Sequence, residues 1–173
     1  ILGGAMKSVK KLTMLAILTT IALTIFVLES AIPPIVPIPG IKLGLANIVT
    51  LVLISAGMPR EAAAVLFARV FLASVFAGQM MSFFFSILGG LFCLLAMYAS
   101  NRLLKGQLLW FTSIIGAIFH NAGQLLAAII TLQSTYVIYY APFLLVSGII
   151  TGIFTGLAAG FFIKRIDIRK FFR

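Results

Sequence analysis

The sequence predicts an all-α integral membrane protein, with six transmembrane helices in one domain and both termini in the cytoplasm. Three observations carry this reading. Hydrophobic residues make up 62% of the 173 positions and charged residues only 9%, against about 25% charged in an ordinary soluble domain. The apolar residues lie in six long continuous runs, and the charges cluster at the ends of those runs. A chain of this kind cannot cover a water-facing surface, so most of its solvent is lipid.

Residues 1–6 read as a leader remnant or a disordered start, and residues 7–173 as the membrane domain. Span one runs from about Leu12 to Ile32, behind Lys7, Lys10 and Lys11. About twenty helical residues reach about 30 Å, the thickness of the hydrocarbon layer. This run is too long for a signal peptide and lacks a clear Ala-x-Ala exit. The stretch from Pro33 to Gly40 comes next and holds four of the six prolines. Proline restricts φ and removes donors, so this segment is stiff and extended or turning. Span two, about Ile41 to Ala56, is short and is expected to tilt or to cross only part of the bilayer. Gly57-Met58-Pro59-Arg60 breaks it, and Pro59 suits the first turn of the next helix. Span three runs from about Arg60 to Ala77, span four from about Ser82 to Leu104, and span five from about Leu108 to Leu132. The uncharged loop Gln133 to Tyr140 carries three tyrosines that suit a membrane interface. Span six occupies about 141–163 and ends in a basic tail.

Six spans put both termini on one side. Placing that side in the cytoplasm puts the N-terminal lysines, Arg60, Arg102, Lys105 and the tail inside, and leaves only Lys42 and Arg69 of the 13 basic residues elsewhere. The positive-inside rule therefore selects this orientation, and the proline loop faces out. The same placement argues against a nucleic-acid partner despite the net charge of +10. Continuous apolar runs do not fit barrel strands, and the two halves show no matching polar positions. The single cysteine, Cys93, supports neither a disulfide framework nor a thiolate metal site, and is expected to pack as a small hydrophobe.

The polar residues inside the spans are the candidate site. Arg69 sits among Val65, Leu66, Phe67, Val70, Phe71 and Leu72. A charge at that depth is costly unless paired or hydrated, so Arg69 is either an anion-binding group or a structural partner for Glu29 or for nearby carbonyls. Lys42 opposes the dipole of the helix expected to start there, which suits either an anion held there with free N–H groups or a lipid phosphate. Gly44 permits close approach by a ligand or by a packed helix, and Asn47 can share its face. His120 and Gln124, four residues apart, stack on one helix face beside Asn121, lining a cavity or bonding between helices. One histidine and three acids give no metal site.

Two small-residue faces suit close helix contact with a partner or within the chain: Gly148, Gly152, Gly156 and Gly160 in span six, and Ala16 with Thr20 in span one. No nucleophile–base–acid set, no aspartate-rich motif for magnesium diphosphate and no phosphate-cradling loop is present. The residues therefore give no enzyme and no cofactor.

The run from Pro39 to Asn47, PGIKLGLAN, together with His120-Asn121-x-x-Gln124, resembles the membrane family called heptaprenyl diphosphate synthase component I, also called Gx transporter. That family in turn resembles the substrate-binding S components of energy-coupling factor (ECF) transporters. The resemblance implies a six-helix subunit of the bacterial cytoplasmic membrane that captures a small nutrient. It would work with a transmembrane coupling subunit and two cytoplasmic ATPases. The outer loop, with Pro34, Pro37, Pro39 and Gly40, would act as a lid, and the face at Ala16 and Thr20 would meet the coupling subunit. On this reading Lys42, Gly44, Asn47, Arg69, His120, Asn121 and Gln124 bind a small anionic, vitamin-like or quinone- or isoprenoid-precursor substrate. The alternatives are a membrane subunit associated with prenyl diphosphate synthesis, or a structural subunit of another membrane complex.

Overall fold

The structure is a computed structural model, and it describes residues 2–32, 41–77 and 80–172. Within them every regular element is a helix: α1 (Leu2–Ser30), α2 (Asn47–Ser55), α3 (Pro59–Ala77), α4 (Met80–Leu103), α5 (Leu109–Leu132), a 3-10 turn (Thr135–Tyr140), α6 (Ala141–Arg165) and a short α7 (Arg169–Phe172). Positions 2–6, expected as a leader or a disordered start, are part of α1. Pro59 opens α3, as the missing proline N–H predicts for a first turn.

Four segments among the described residues are long and apolar enough to cross a membrane: Val9–Ser30, Met81–Leu103, Leu109–Leu132 and Thr135–Arg165. Their lipid-compatible surface is conspicuous, with Leu28, Phe143 and Phe154 each more than 60% exposed. The protein is an all-α multi-pass membrane protein.

The second expected span is helical over only part of its length. Residues 41–46 are not helical, and α2 has 9 residues. Such a helix is about 13 Å long, under half the hydrocarbon thickness. Asn47, Val49, Thr50, Leu51, Val52, Leu53 and Ile54 are all buried, so α2 is apolar all round because it is surrounded. It touches α1, α3, α4, α5 and α6. Leu51, Leu53 and Ile54 meet Val65, Leu66 and Val70 of α3 and Cys93, Leu94 and Met97 of α4 in the main core. Cys93 packs there as a small apolar group, its Sγ 3.7 Å from Met97 Sδ.

The most extensive packing is α4 on α5 and α5 on α6, and glycine makes both possible. A Cβ on Gly123 would lie 2.7 Å from the Leu88 carbonyl oxygen, and one on Gly152 would lie 2.5 Å from Ile114 Cα. Gly148 meets Ala117 and Ile118, and Gly156 meets Trp110 and Ser113. The glycine stripe of α6, expected among the partner contacts, is thus consumed inside the fold against α5. Gly160 has only Leu109 nearby, at 3.8 Å. Ala16 and Thr20 lie on the exposed side of α1, where the Thr20 hydroxyl donates to the Ala16 carbonyl at 2.9 Å.

Contacts gather the basic ends of the helices at one end of the molecule. Lys11 Nζ pairs with Glu61 at 2.6 Å. Arg169 donates from Nε to the Ala56 carbonyl at 3.0 Å and from Nη2 to the Ser55 carbonyl at 3.4 Å, satisfying acceptors that the end of α2 leaves open. Lys10 Nζ reaches the Lys170 carbonyl at 3.4 Å, and Asn101, beside Arg102, reaches the Ile54 carbonyl at 3.5 Å.

Candidate functional site

At the other end of α2 the chain enters through the non-helical stretch 41–46, whose backbone groups lie among helices. Unpaired N–H groups at such a depth cost several kcal/mol each, and irregular backbone is tolerated only where protein satisfies it. Glu29, one residue before the end of α1, supplies the acceptors. Its Oε1 accepts from the Gly44 N–H at 2.6 Å and its Oε2 from the Leu45 N–H at 2.9 Å. Gln124 of α5 accepts from the Lys42 N–H at 3.3 Å. A helix that would have satisfied itself is replaced by a loop that α1 and α5 satisfy.

Arg69 projects from α3 into the same region and is 4% exposed. Its Nη2 donates to Asn47 Oδ1 at 2.9 Å. Both cations of the region act on the Glu29 carboxylate through space, while the ion pair in direct contact among the described residues is Lys11–Glu61. Lys42 turns its ammonium to the end of α1, 2.6 Å from Ser30 Oγ and 3.5 Å from the centre of the Phe26 ring, a cation–π geometry. It does not open a helix, because α2 begins five residues later at Asn47.

His120 is placed by two glycines. A Cβ on Gly44 would lie 2.7 Å from His120 Cδ2, and one on Gly89 would lie 2.8 Å from its Cε1. The ring therefore slots between the loop and α4. Gly44 is needed twice over, since its φ of +79° is also the left-handed region that side chains disfavour. Gln124, four residues along on the same face of α5, is 1% exposed. Asn121 is rotated by about 100° from His120 on the helix and leaves the group. Its Nδ2 donates to the Leu144 carbonyl of α6 at 2.6 Å.

Of the expected binding residues, the structure brings together Lys42, Gly44, Asn47, Arg69, His120 and Gln124, and sends Asn121 to a helix contact. The expected lid, Pro34, Pro37, Pro39 and Gly40, lies outside the described residues. Two members went unrecognised as site residues. Glu29 sits at the centre, and its signal was its chemistry, a carboxylate inside an apolar span. Gly89 had only the weak signal of a glycine within a helix. Asn47 Nδ2 and His120 Nδ1 are buried without a hydrogen-bond partner among the described residues. These residues form a packed polar knot in which Glu29 holds the Gly44 and Leu45 N–H groups and Arg69 holds Asn47. It holds a loop at depth, and it contains no group of three metal-ligating side chains among the described residues.

The model of the family described as heptaprenyl diphosphate synthase component I matches residues 18–162. The chain belongs to that family. That description names a component of a synthase, which agrees with a chain that is not itself an enzyme. No curated protein and no solved structure matches the chain. The match agrees with the family resemblance carried by the Pro39–Asn47 and His120–Gln124 motifs and corrects the function expected from it. Its description ties the family to isoprenoid synthesis. Vitamin uptake by an S component, with an ECF coupling subunit and two ATPases as partners, is overturned by that description. The motifs lead to the family, and the uptake reading needed a second step, from the family to the S components it resembles; likeness at the level of fold does not carry function across that step.

Proposed function

We propose that the chain is the membrane subunit of a two-component heptaprenyl diphosphate synthase and that it holds the catalytic component at the cytoplasmic face of the bilayer. The single observation that carries this is the family match over residues 18–162. The chemistry of the chain agrees with it. Condensing prenyl diphosphates requires acidic residues to hold magnesium, and this chain has three acids in all, one of them locked to Gly44 and Leu45 and one to Lys11. Catalysis then belongs to the partner, and the membrane belongs to this chain.

In this reading the chain crosses six times with both termini inside. The stretch 41–46 and α2 together make the second crossing, α3 makes the third, and the gathered basic end is cytoplasmic. We further propose that the anion awaited by the Gly44 and Leu45 N–H groups, Lys42 and Arg69 is the chain's own Glu29. The polar knot is then a lock for α2. Co-expression with the catalytic component and purification in mild detergent test the main reading. The two should co-elute, and the catalytic component should move to the membrane fraction only when this chain is present. A catalytic component that stays soluble and elutes alone overturns it.

A further inference from the structure

A groove runs along the outer surface between α4 and α5. Phe92, Leu95, Ala96, Ala99, Ser100 and Leu103 line it from α4, and Ile115 and Phe119 from α5. The α4 residues recur at steps of three and four, which is one helix face. Small residues (Ala96, Ala99, Ser100) make the floor, and Leu95, Leu103 and Phe119, all exposed, make the rims. Ser100 adds no free polarity, since its hydroxyl donates back to the carbonyls of Ala96 and Met97 at 2.7 and 3.2 Å. The lining is therefore hydrocarbon in character along its whole length.

Its dimensions decide what fits. From Phe92 to Leu103 the helix rises about 16 Å. The groove volume is about 470 Å³, and spread over that length it gives room for one extended, methyl-branched hydrocarbon chain. The groove ends at the basic turn. Arg102 directly precedes its last lining residue, and Lys105 is two residues beyond. Arg102 is exposed, with its guanidinium 5.3 Å from the Tyr98 ring centre. Lys105 is also exposed and is held in the turn at φ +49° beside Gly106 at φ +72°. An apolar slot that finishes at two exposed cations matches a long apolar tail with a multiply charged anionic head.

We infer that the α4–α5 groove holds the isoprenoid tail of a polyprenyl diphosphate, with its diphosphate at Arg102 and Lys105. This rests on the proposed role in prenyl diphosphate synthesis and deepens it. The chain would receive the product as it leaves the catalytic component and keep its apolar tail out of water.

The test uses the purified full chain in phosphatidylcholine nanodiscs with a diazirine-bearing geranylgeranyl diphosphate, and cross-linked peptides are mapped by mass spectrometry. Cross-links should fall on residues 92–103 and 115–119 and be competed by unlabelled geranylgeranyl diphosphate. Ala99→Trp should abolish them by filling the slot. Arg102→Gln with Lys105→Gln, an exposed pair whose loss leaves the core untouched, should weaken labelling about tenfold. Melting temperatures establish that each variant is folded, and the charge pair decides alone if Ala99→Trp does not fold. Cross-links elsewhere, unchanged labelling in the folded charge variant, or equal competition by phosphatidylglycerol would each overturn the inference. The catalytic component is absent from this assay. Failure here therefore leaves the co-purification result standing, and failure of co-purification leaves the labelling result intact.

Discussion

Glu29 is where the energetics of the protein concentrate in one side chain. It satisfies two backbone N–H groups and feels the charges of Lys42 and Arg69 through space. Leaving a buried donor unpaired costs about 1–3 kcal/mol, and removing one partner of a buried charge arrangement costs about 3–5 kcal/mol. Glu29→Ala should therefore destabilise the protein by about 4 kcal/mol, lowering its thermal midpoint in detergent, read from Trp110 fluorescence. Glu29→Gln keeps one acceptor and should recover part of the loss. If Glu29→Ala melts with the parent protein, the lock reading fails. Arg69 offers a contrast. Sequence shows it as an isolated charge among hydrophobes, and the structure shows it hydrogen-bonded to Asn47 within the same knot as Glu29. The depth of Arg69 was legible from its apolar neighbours. Its partner was not, because Asn47 lies 22 positions away and comes within reach only through the break at 41–46.

At the scale of elements, the long helices were legible and the short one was not. Apolar runs of about twenty residues report their own length, so α1, α4, α5 and α6 are read from composition. Helix α2 is not, because Ile41 to Ala46 reads as the start of the same span, with only Lys42 and Gly44 to interrupt it. What stops the helix there is tertiary: Glu29 and Gln124 offer the backbone a satisfied alternative, and Gly44 takes a left-handed φ. The glycine stripe of α6 was legible as a contact face, but its partner was not, since spacing does not say which helix arrives. Gly148, Gly152 and Gly156 face α5, where Ser113 and Thr155 also share a hydrogen bond at 2.8 Å. Gly152→Leu should thus be disruptive, because its Cβ alone would stand 2.5 Å from the Ile114 backbone. A loss of about 3 kcal/mol is expected from overpacking. Gly160→Leu, whose Cβ would meet only the Leu109 side chain at 3.8 Å, should melt within a few degrees of the parent. Equal effects of the two in the same thermal assay would place the α5–α6 contact elsewhere.

The molecule as a whole is polarised along its length. One end collects Lys10, Lys11, Arg102 and Arg169 through the contacts that join α1, α2, α3, α4 and α7. The other carries the uncharged turn Thr135–Tyr140, with Tyr136 and Tyr139 stacked at 6.4 Å and largely exposed. Aromatic residues of this kind favour the membrane interface, and basic residues are retained on the cytoplasmic side. The two ends should therefore face different compartments, a claim that cysteine accessibility can check. Cys93 is 0% exposed, so the parent protein should give almost no reaction with a membrane-impermeant maleimide. Lys105→Cys and Lys164→Cys should label in inside-out vesicles and not in intact cells. Tyr139→Cys should do the reverse. The pattern depends on the number of crossings between these positions. Positions 105 and 164 are separated by α5 and α6, so they share a side if both helices span or if neither does, and position 139 between them lies opposite only if both span. Labelling of positions 105 and 139 from the same side would remove α5 as a crossing and turn the basic end away from the compartment in which a prenyl-condensing partner works.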